Sequence, residues 1–192
     1  MTKKINTPIS YILCITMGFI LLFTIIFKKN ESRGAINVIE NTTTCTESRS
    51  KAGKLLEIPT LTVTRSEQII AHKAYTVSYN ADWRIPNWVA YELTADESDG
   101  AVSRKGRRFI PDPTVKGPQA ENDDYRNSGW SRGHMAPAAD MKWDSVAMDE
   151  CFYFTNCCPQ DATFNDGKWH SLEKKTRAIA RQYGRVYVVT GP

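Results

Sequence analysis

Arg132 and His134 stand two residues apart inside Gly129–Asp140 (GWSRGHMAPAAD), and their types and spacing could do chemistry. On an extended strand, residues i and i+2 point to the same face. A guanidinium beside an imidazole suits phosphodiester hydrolysis, with the arginine holding the phosphate while the histidine takes a proton from water. A neighbouring cation also disfavours the protonated imidazole, and Arg132 is the expected source of that field. Gly133 between them carries no side chain, so a bulky phosphodiester is expected to approach the backbone there. The same letters also describe a surface arginine and a core histidine, and the triplet alone does not choose between the readings.

A second constellation lies downstream. Asn165 opens a predicted helix, with Glu173 at i+8 and Arg177 at i+12. At 100° per residue, Glu173 sits about 80° from Asn165 and Arg177 roughly 40° further round, so the three share one side. An amide oxygen and a carboxylate on one helix face can hold a hydrated hard cation such as Mg²⁺, which keeps several of its waters and could neutralise charge on a phosphate. The alternative is a helix-capping Asn165 followed by an ordinary Glu173–Arg177 pair at i,i+4. A zinc site from Cys157, Cys158, His134 and His170 has no CxxC spacing to support it, and His170 is expected either to be exposed or to sit behind the residues that hold the site. Arg104, Lys105, Arg107 and Arg108 form a basic cluster that either steers nucleic acid or is a solvated loop face.

These residues need elements to position them. Gln68–His72 and Tyr75–Tyr79 alternate apolar and polar residues and predict a hairpin, and Trp88–Leu93 predicts the next strand. Residues 95–129 read as loop, and Cys151–Phe154 as a short apolar strand. Trp169, Leu172, Thr176, Ile179 and Tyr183 recur at helical spacing within Phe164–Tyr183, giving a helix with one buried face. Val186–Thr190 (VYVVT) is a short buried strand close to the last residue. A core strand so near the end predicts a domain whose C-terminal part is missing, with an unpaired apolar edge.

The N-terminal part is different in kind. Pro8–Phe27 is uncharged and 20 residues long, enough to cross about 30 Å of hydrocarbon, and lysines flank it. It is expected to be a signal anchor or signal peptide over residues 1–29, followed by a polar linker over 30–60 and a domain over 61–192. That organisation puts the chain in a bacterial envelope or outside the cell. The net charge of +4 carries no argument for a polyanionic partner. Without the four lysines among residues 1–29, the chain holds 21 basic and 21 acidic residues. Apolar residues at 41% suffice for a packed core and exclude a wholly disordered chain. Oxidising conditions would permit a disulfide among the five cysteines, with the pairing open, although adjacent Cys157 and Cys158 are poor partners for each other.

The order SRGHMAPAADM, then FTNCCPQ, then FNDGKWHSLE with Arg177 one turn on, resembles the DNA/RNA non-specific endonucleases, from roughly His72 to Pro192. The resemblance implies an α+β fold of the ββα-metal finger type, with a mixed, mostly antiparallel sheet flanked by helices. It implies a metal-dependent endonuclease acting on DNA and RNA with little sequence preference. His134 would be the general base and Asn165 the direct ligand of Mg²⁺ (Mn²⁺ as a substitute). Glu173 would orient a metal-bound water, and Arg132 and Arg177 would contact phosphate. Asn156 would support the site. Arg107, with Arg108 as fallback, would stabilise the transition state. A homodimer, an inhibitor or immunity partner, and a membrane contact through the N-terminal helix complete the expected partners. Ser131 stands where the family motif usually has aspartate, which is expected to tune rather than abolish activity. A phosphodiesterase acting on small nucleotides, or an inactive nucleic-acid-binding remnant, are the competing functions.

Overall fold

The computed structural model describes residues 22–26, 56–60 and 64–192. Five strands form one sheet in the order β1-β7-β4-β3-β2, every neighbouring pair antiparallel. They are β1 (Leu22–Ile26), β2 (Gln68–Ala71), β3 (Thr76–Asn80), β4 (Ile85–Thr94) and β7 (Arg185–Gly191). The expected hairpin is β2–β3, and Trp88–Leu93 lies within β4, the central strand. Most of β4 is buried along both faces, as a strand covered on both sides must be. Val77, Tyr79, Val89, Leu93, Val186 and Val188 fill the core with Met135, Met148 and Phe154. Each buried side chain of this size contributes roughly 1.5–3 kcal/mol.

A separate two-stranded ladder, β5 (Ser131–His134) with β6 (Cys157–Gln160), stands off this sheet, with His134 paired to Cys157 and Ser131 to Gln160. Short helices α1 (Asn122–Tyr125) and α2 (Ser145–Glu150) interrupt the loops. After β6 the chain turns at Asp161, whose side chain accepts from the Phe164 amide and so caps α3 (Ala162–Phe164). The helical path continues through a π turn (Asn165–Trp169) into α4 (His170–Tyr183), and Gly184 at φ 87° ends it.

Three expectations are corrected. The first concerns the described end of the expected N-terminal helix. Within the expected 8–27 span, the described piece Leu22–Ile26 is a strand, running from Leu22 opposite Gly191 to Ile26 opposite Tyr187. The reason is the edge itself: β7 offers a row of backbone donors and acceptors, and a segment rich in β-branched residues can satisfy them. The outer edge of β7 is therefore paired, not open. Among the described residues no helix is long and apolar enough to cross a membrane, and the rest of that span lies outside them.

The second concerns Cys151–Phe154, which is no strand. The chain turns there, makes a single bridge from Tyr153 to Ile110, and enters a 3₁₀ turn at Phe154–Asn156. The Asn156 amide draws this segment inward by donating to the Ala136 and Cys151 carbonyls. The third concerns the helix stripe. Trp169, Thr176 and Ala180 are buried as a periodic face should be, but Tyr183 is 43% exposed and Arg177 is buried in its place. A buried carboxylate, Asp140, claims that arginine.

Candidate active site

Strand β5 presents Arg132 and His134 to one cavity of about 720 Å³, which Arg104, Phe109, Asn165 and Glu173 also line. The hairpin behind it is fixed by backbone chemistry. Asn156 accepts from the Ala136 amide at 2.8 Å, and its carbonyl accepts from Met135 at 3.0 Å. From the other side Trp169 Nε1 donates to the His134 carbonyl at 3.2 Å, tying the start of the long helix to the strand. Gly133 has a different task from the one its position suggested. A Cβ there would lie 2.1 Å from the Gln160 side chain, so the missing side chain makes room for a buried glutamine rather than for a phosphodiester.

His134 is wedged between Phe109, at 4.6 Å between ring centroids, and Phe152, edge-on at 4.9 Å. Its Nε2 is sealed from solvent without a hydrogen-bond partner. Burial, and then the nearby Arg104 cation, pull its pKa down to about 3. The field therefore comes from Arg104, not from Arg132 as the sequence suggested. The imidazole is neutral at physiological pH and accepts a proton rather than donating one. Glu173 is pushed the other way, to about 7, by burial and by the Asp140 carboxylate, against the pull of Arg177 and Arg104.

Arg132 lays its guanidinium over the Tyr125 ring at 5.3 Å and donates to the Asn122 carbonyl at 3.1 Å, while its buried Nε has no partner. Arg177 is elsewhere. It is ion-paired at 2.6 Å to the buried Asp140, which also accepts from the Tyr91 hydroxyl at 2.8 Å. Burial raises the Asp140 pKa despite these partners. The cluster joins α4 to the central strand, and Arg177 does not line the cavity. Arg107 does not either: its Nε pairs with Asp149 at 2.6 Å, and another guanidinium N–H goes to the Ser103 carbonyl. Arg108 is exposed and lies outside the lining as well. From that basic cluster it is Arg104 that reaches the cavity, its guanidinium 5.5 Å from the Phe152 ring centroid.

Residues 52–192 match the sequence profile of the DNA/RNA non-specific endonucleases. The chain belongs to that family. Among curated relatives, mitochondrial nuclease EXOG of Xenopus laevis is 41% identical over 133 residues, covering 69% of this chain and 36% of that protein. Mitochondrial endonuclease G of Homo sapiens is 38% identical over 126 residues, covering 65% of this chain and 42% of that protein. A crystal structure of an EndoG/EndoGI complex, described as showing the mechanism of EndoG inhibition, matches with a TM-score of 0.63 and 37% identity. It covers 66% of this chain and 53% of the matched one. The chain thus spans well under half the length of these two curated relatives. Both are mitochondrial proteins, which overturns the expected bacterial-envelope or extracellular location.

For this member of the non-specific endonuclease family, a hard divalent cation fits the donors on the cavity wall. Asn165 supplies an amide oxygen and Glu173 a carboxylate, both half-buried, with Asp166 beside them. Among the described residues no group of three or more His, Cys, Asp or Glu side chains could hold a metal, so a cation here would keep most of its coordination as water. The zinc alternative is not supported. Cys157 and Cys158 are buried free thiols whose pKa values burial pushes up, to about 12 for Cys157, and a zinc ligand must be a thiolate. Of the two placements open to His170, the structure shows an exposed residue at the cavity wall.

Proposed function

We propose that the chain hydrolyses phosphodiester bonds within DNA and RNA with little sequence preference, using His134 as general base. The observation that carries this reading is the neutral imidazole of His134 lining one cavity with two arginines and with Asn165 and Glu173. Arg132 and Arg104 hold the phosphate by charge-assisted hydrogen bonds. His134 removes a proton from a water, which attacks phosphorus as the bond to the leaving oxygen breaks. A bound phosphate opposes the field of Arg104 and raises the basicity of His134 when substrate is present. Asn165 would hold Mg²⁺ directly and Glu173 would orient one of its waters; Mn²⁺ would substitute. The cation would supply positive charge to the phosphate and the leaving oxygen. The two arginines recognise phosphate rather than base edges, which accounts for weak sequence preference. The arrangement of β5, β6 and the helix from Ala162 to Tyr183 supports assignment to the ββα-metal finger type.

The test is an in-gel nuclease assay on DNA and RNA, with Mg²⁺ and with EDTA, for the full chain and for His134→Ala. Cleavage should require the cation and fall by about 10²–10⁴-fold in the variant, with oligonucleotide binding retained. Near-normal turnover in a folded His134→Ala protein would end the assignment. A length series of substrates separates a nuclease from an enzyme confined to small nucleotides.

A further inference from the structure

A second groove, of about 480 Å³, adjoins the cavity. The link is Arg132, which lines the cavity and lays its guanidinium over Tyr125, a residue of the groove wall. Pro159, the cross-strand partner of Arg132, lines the groove too. Trp83 and Trp130 in its walls are 64% and 51% exposed. Two large indoles left in water beside a candidate phosphodiester site are an unspent stacking surface.

Both indoles stand on constrained turns. Asn80 Oδ1 accepts from the amides of Asp82 and Trp83, and Asn80 is itself buried and bonded to Asn87. Ser128 Oγ accepts from the Trp130 amide. Arg84, at φ 57° in the left-handed region, follows Trp83 and places a cation on the wall. The wall also carries the Asp124 carboxylate, which accepts from the Glu121 amide. A phosphate would be repelled by Asp124. A nucleobase is neutral, stacks on an indole, and offers edge amino and carbonyl groups to Asp124 and Arg84. In a duplex those faces are already stacked, so the occupant is unpaired.

We propose that the groove between Trp83 and Trp130 binds an unpaired nucleobase of the strand whose phosphodiester lies at Arg132 and His134. The chain thus engages its substrate as a single strand. The inference rests on the nuclease reading above and names the form of its substrate. Stacking is tolerant of sequence because every base has a π face, so this subsite adds affinity without adding sequence preference.

The test uses the full chain. A single-stranded oligonucleotide added in EDTA should quench tryptophan fluorescence, and Trp83→Ala/Trp130→Ala should remove that quench. The double variant should raise KM for single-stranded oligonucleotide by about 5- to 100-fold, from base–aromatic stacking of roughly 1–3 kcal/mol per base. The change on duplex, and on methyl p-nitrophenyl phosphate, which is too short to fill the groove, should be smaller. Trp83→Phe/Trp130→Phe should recover most of the loss. An unchanged oligonucleotide KM in a chain that still cuts would overturn the inference and leave the nuclease reading standing. Equal loss in the Ala and Phe variants would overturn it as well, showing that the indoles hold the fold. Quenching by oligonucleotide without cleavage of any substrate would support the groove and sink the nuclease reading. Absence of both quenching and cleavage would overturn both.

Discussion

Arg104 and Arg107 lie one turn of loop apart, and their partners separate them. Arg107 is spent on Asp149 and the Ser103 carbonyl, whereas Arg104 lies over Phe152 at the cavity and lowers the pKa of His134. Arg104→Ala should therefore slow oligonucleotide cleavage by roughly 10²-fold, the usual cost of one preorganised charge donor at a developing anion. Arg107→Ala should leave turnover within a few-fold of normal, because loss of a partly exposed ion pair has little effect. Steady-state kinetics of the two variants decide it, and equal losses would return the role to Arg107. The sequence could not make this choice. Four basic residues crowd positions 104–108, and a loop has no periodicity to say which one turns inward. Arg132 and His134 were legible because period 2 on a strand fixes a common face. Arg177 was not: its i+4 spacing from Glu173 is the same whether its partner is a phosphate or Asp140, 37 residues away in sequence.

At the level of elements, the hairpin β5–β6 and the helix that follows do the positioning, and tight packing enforces it. Gly133→Ala should destabilise the protein by about 1–3 kcal/mol, because the new methyl group meets the Gln160 amide. Combining it with Gln160→Ala should restore much of the loss, since Gln160 makes no hydrogen bond through its buried amide. Thermal melts of the singles and the double measure this coupling, and a harmless Gly133→Ala would show that the glycine is not a packing requirement. The loop before α1 is anchored differently. Asp112 is fully buried, and although burial alone would raise its pKa, hydrogen bonds from His72, Thr114 and Thr155 hold it at about 2, below an ordinary 3.8. A depressed carboxylate stabilises the fold above its unfolded pKa and ceases to do so as pH falls through the folded one. Stability should thus drop by of order 2 kcal/mol between about pH 4 and pH 2. Urea midpoints across that window should slope less in Asp112→Asn; parallel curves would remove Asp112 as the cause. The hairpin β2–β3, the strand β4 and the long helix were legible from alternation and helical spacing. The π turn at Asn165–Trp169 was not, because a single wider turn leaves the apolar spacing on either side intact. The turn at Cys151–Phe154 looks like a strand in the sequence because four apolar residues look alike in either state, and Asn156 decides between them by bonding the Ala136 and Cys151 carbonyls.

For the whole molecule, the decisive element is the one the sequence described least well. An uncharged apolar run fits a membrane helix by length alone, whereas its described part, Leu22–Ile26, is a strand because a partner edge is available to it. Here that partner is β7, a strand of valines, a tyrosine and a threonine already paired on its other side to β4. With β1 in place, the sheet edge at β7 is closed from Tyr187 to Gly191. Without it, the same residues would present unpaired amides and carbonyls beside apolar side chains, a template for intermolecular pairing. Proline cannot donate to a ladder, and adjacent residues of a strand point their N–H groups in opposite directions, so Thr24→Pro/Ile25→Pro breaks the pairing whichever of the two donates. In the full chain this double substitution should lower the melting temperature, reduce hydrogen-exchange protection at Val188 and Val189, and increase concentration-dependent association on light scattering. Protection along β3 (Thr76–Asn80) should change much less, because its ladders to β4 and β2 lie on the far side of the sheet from β1. A monomeric variant with unaltered melting and unaltered protection along β7 would show that the sheet does not depend on Leu22–Ile26, and that β7 tolerates an open edge.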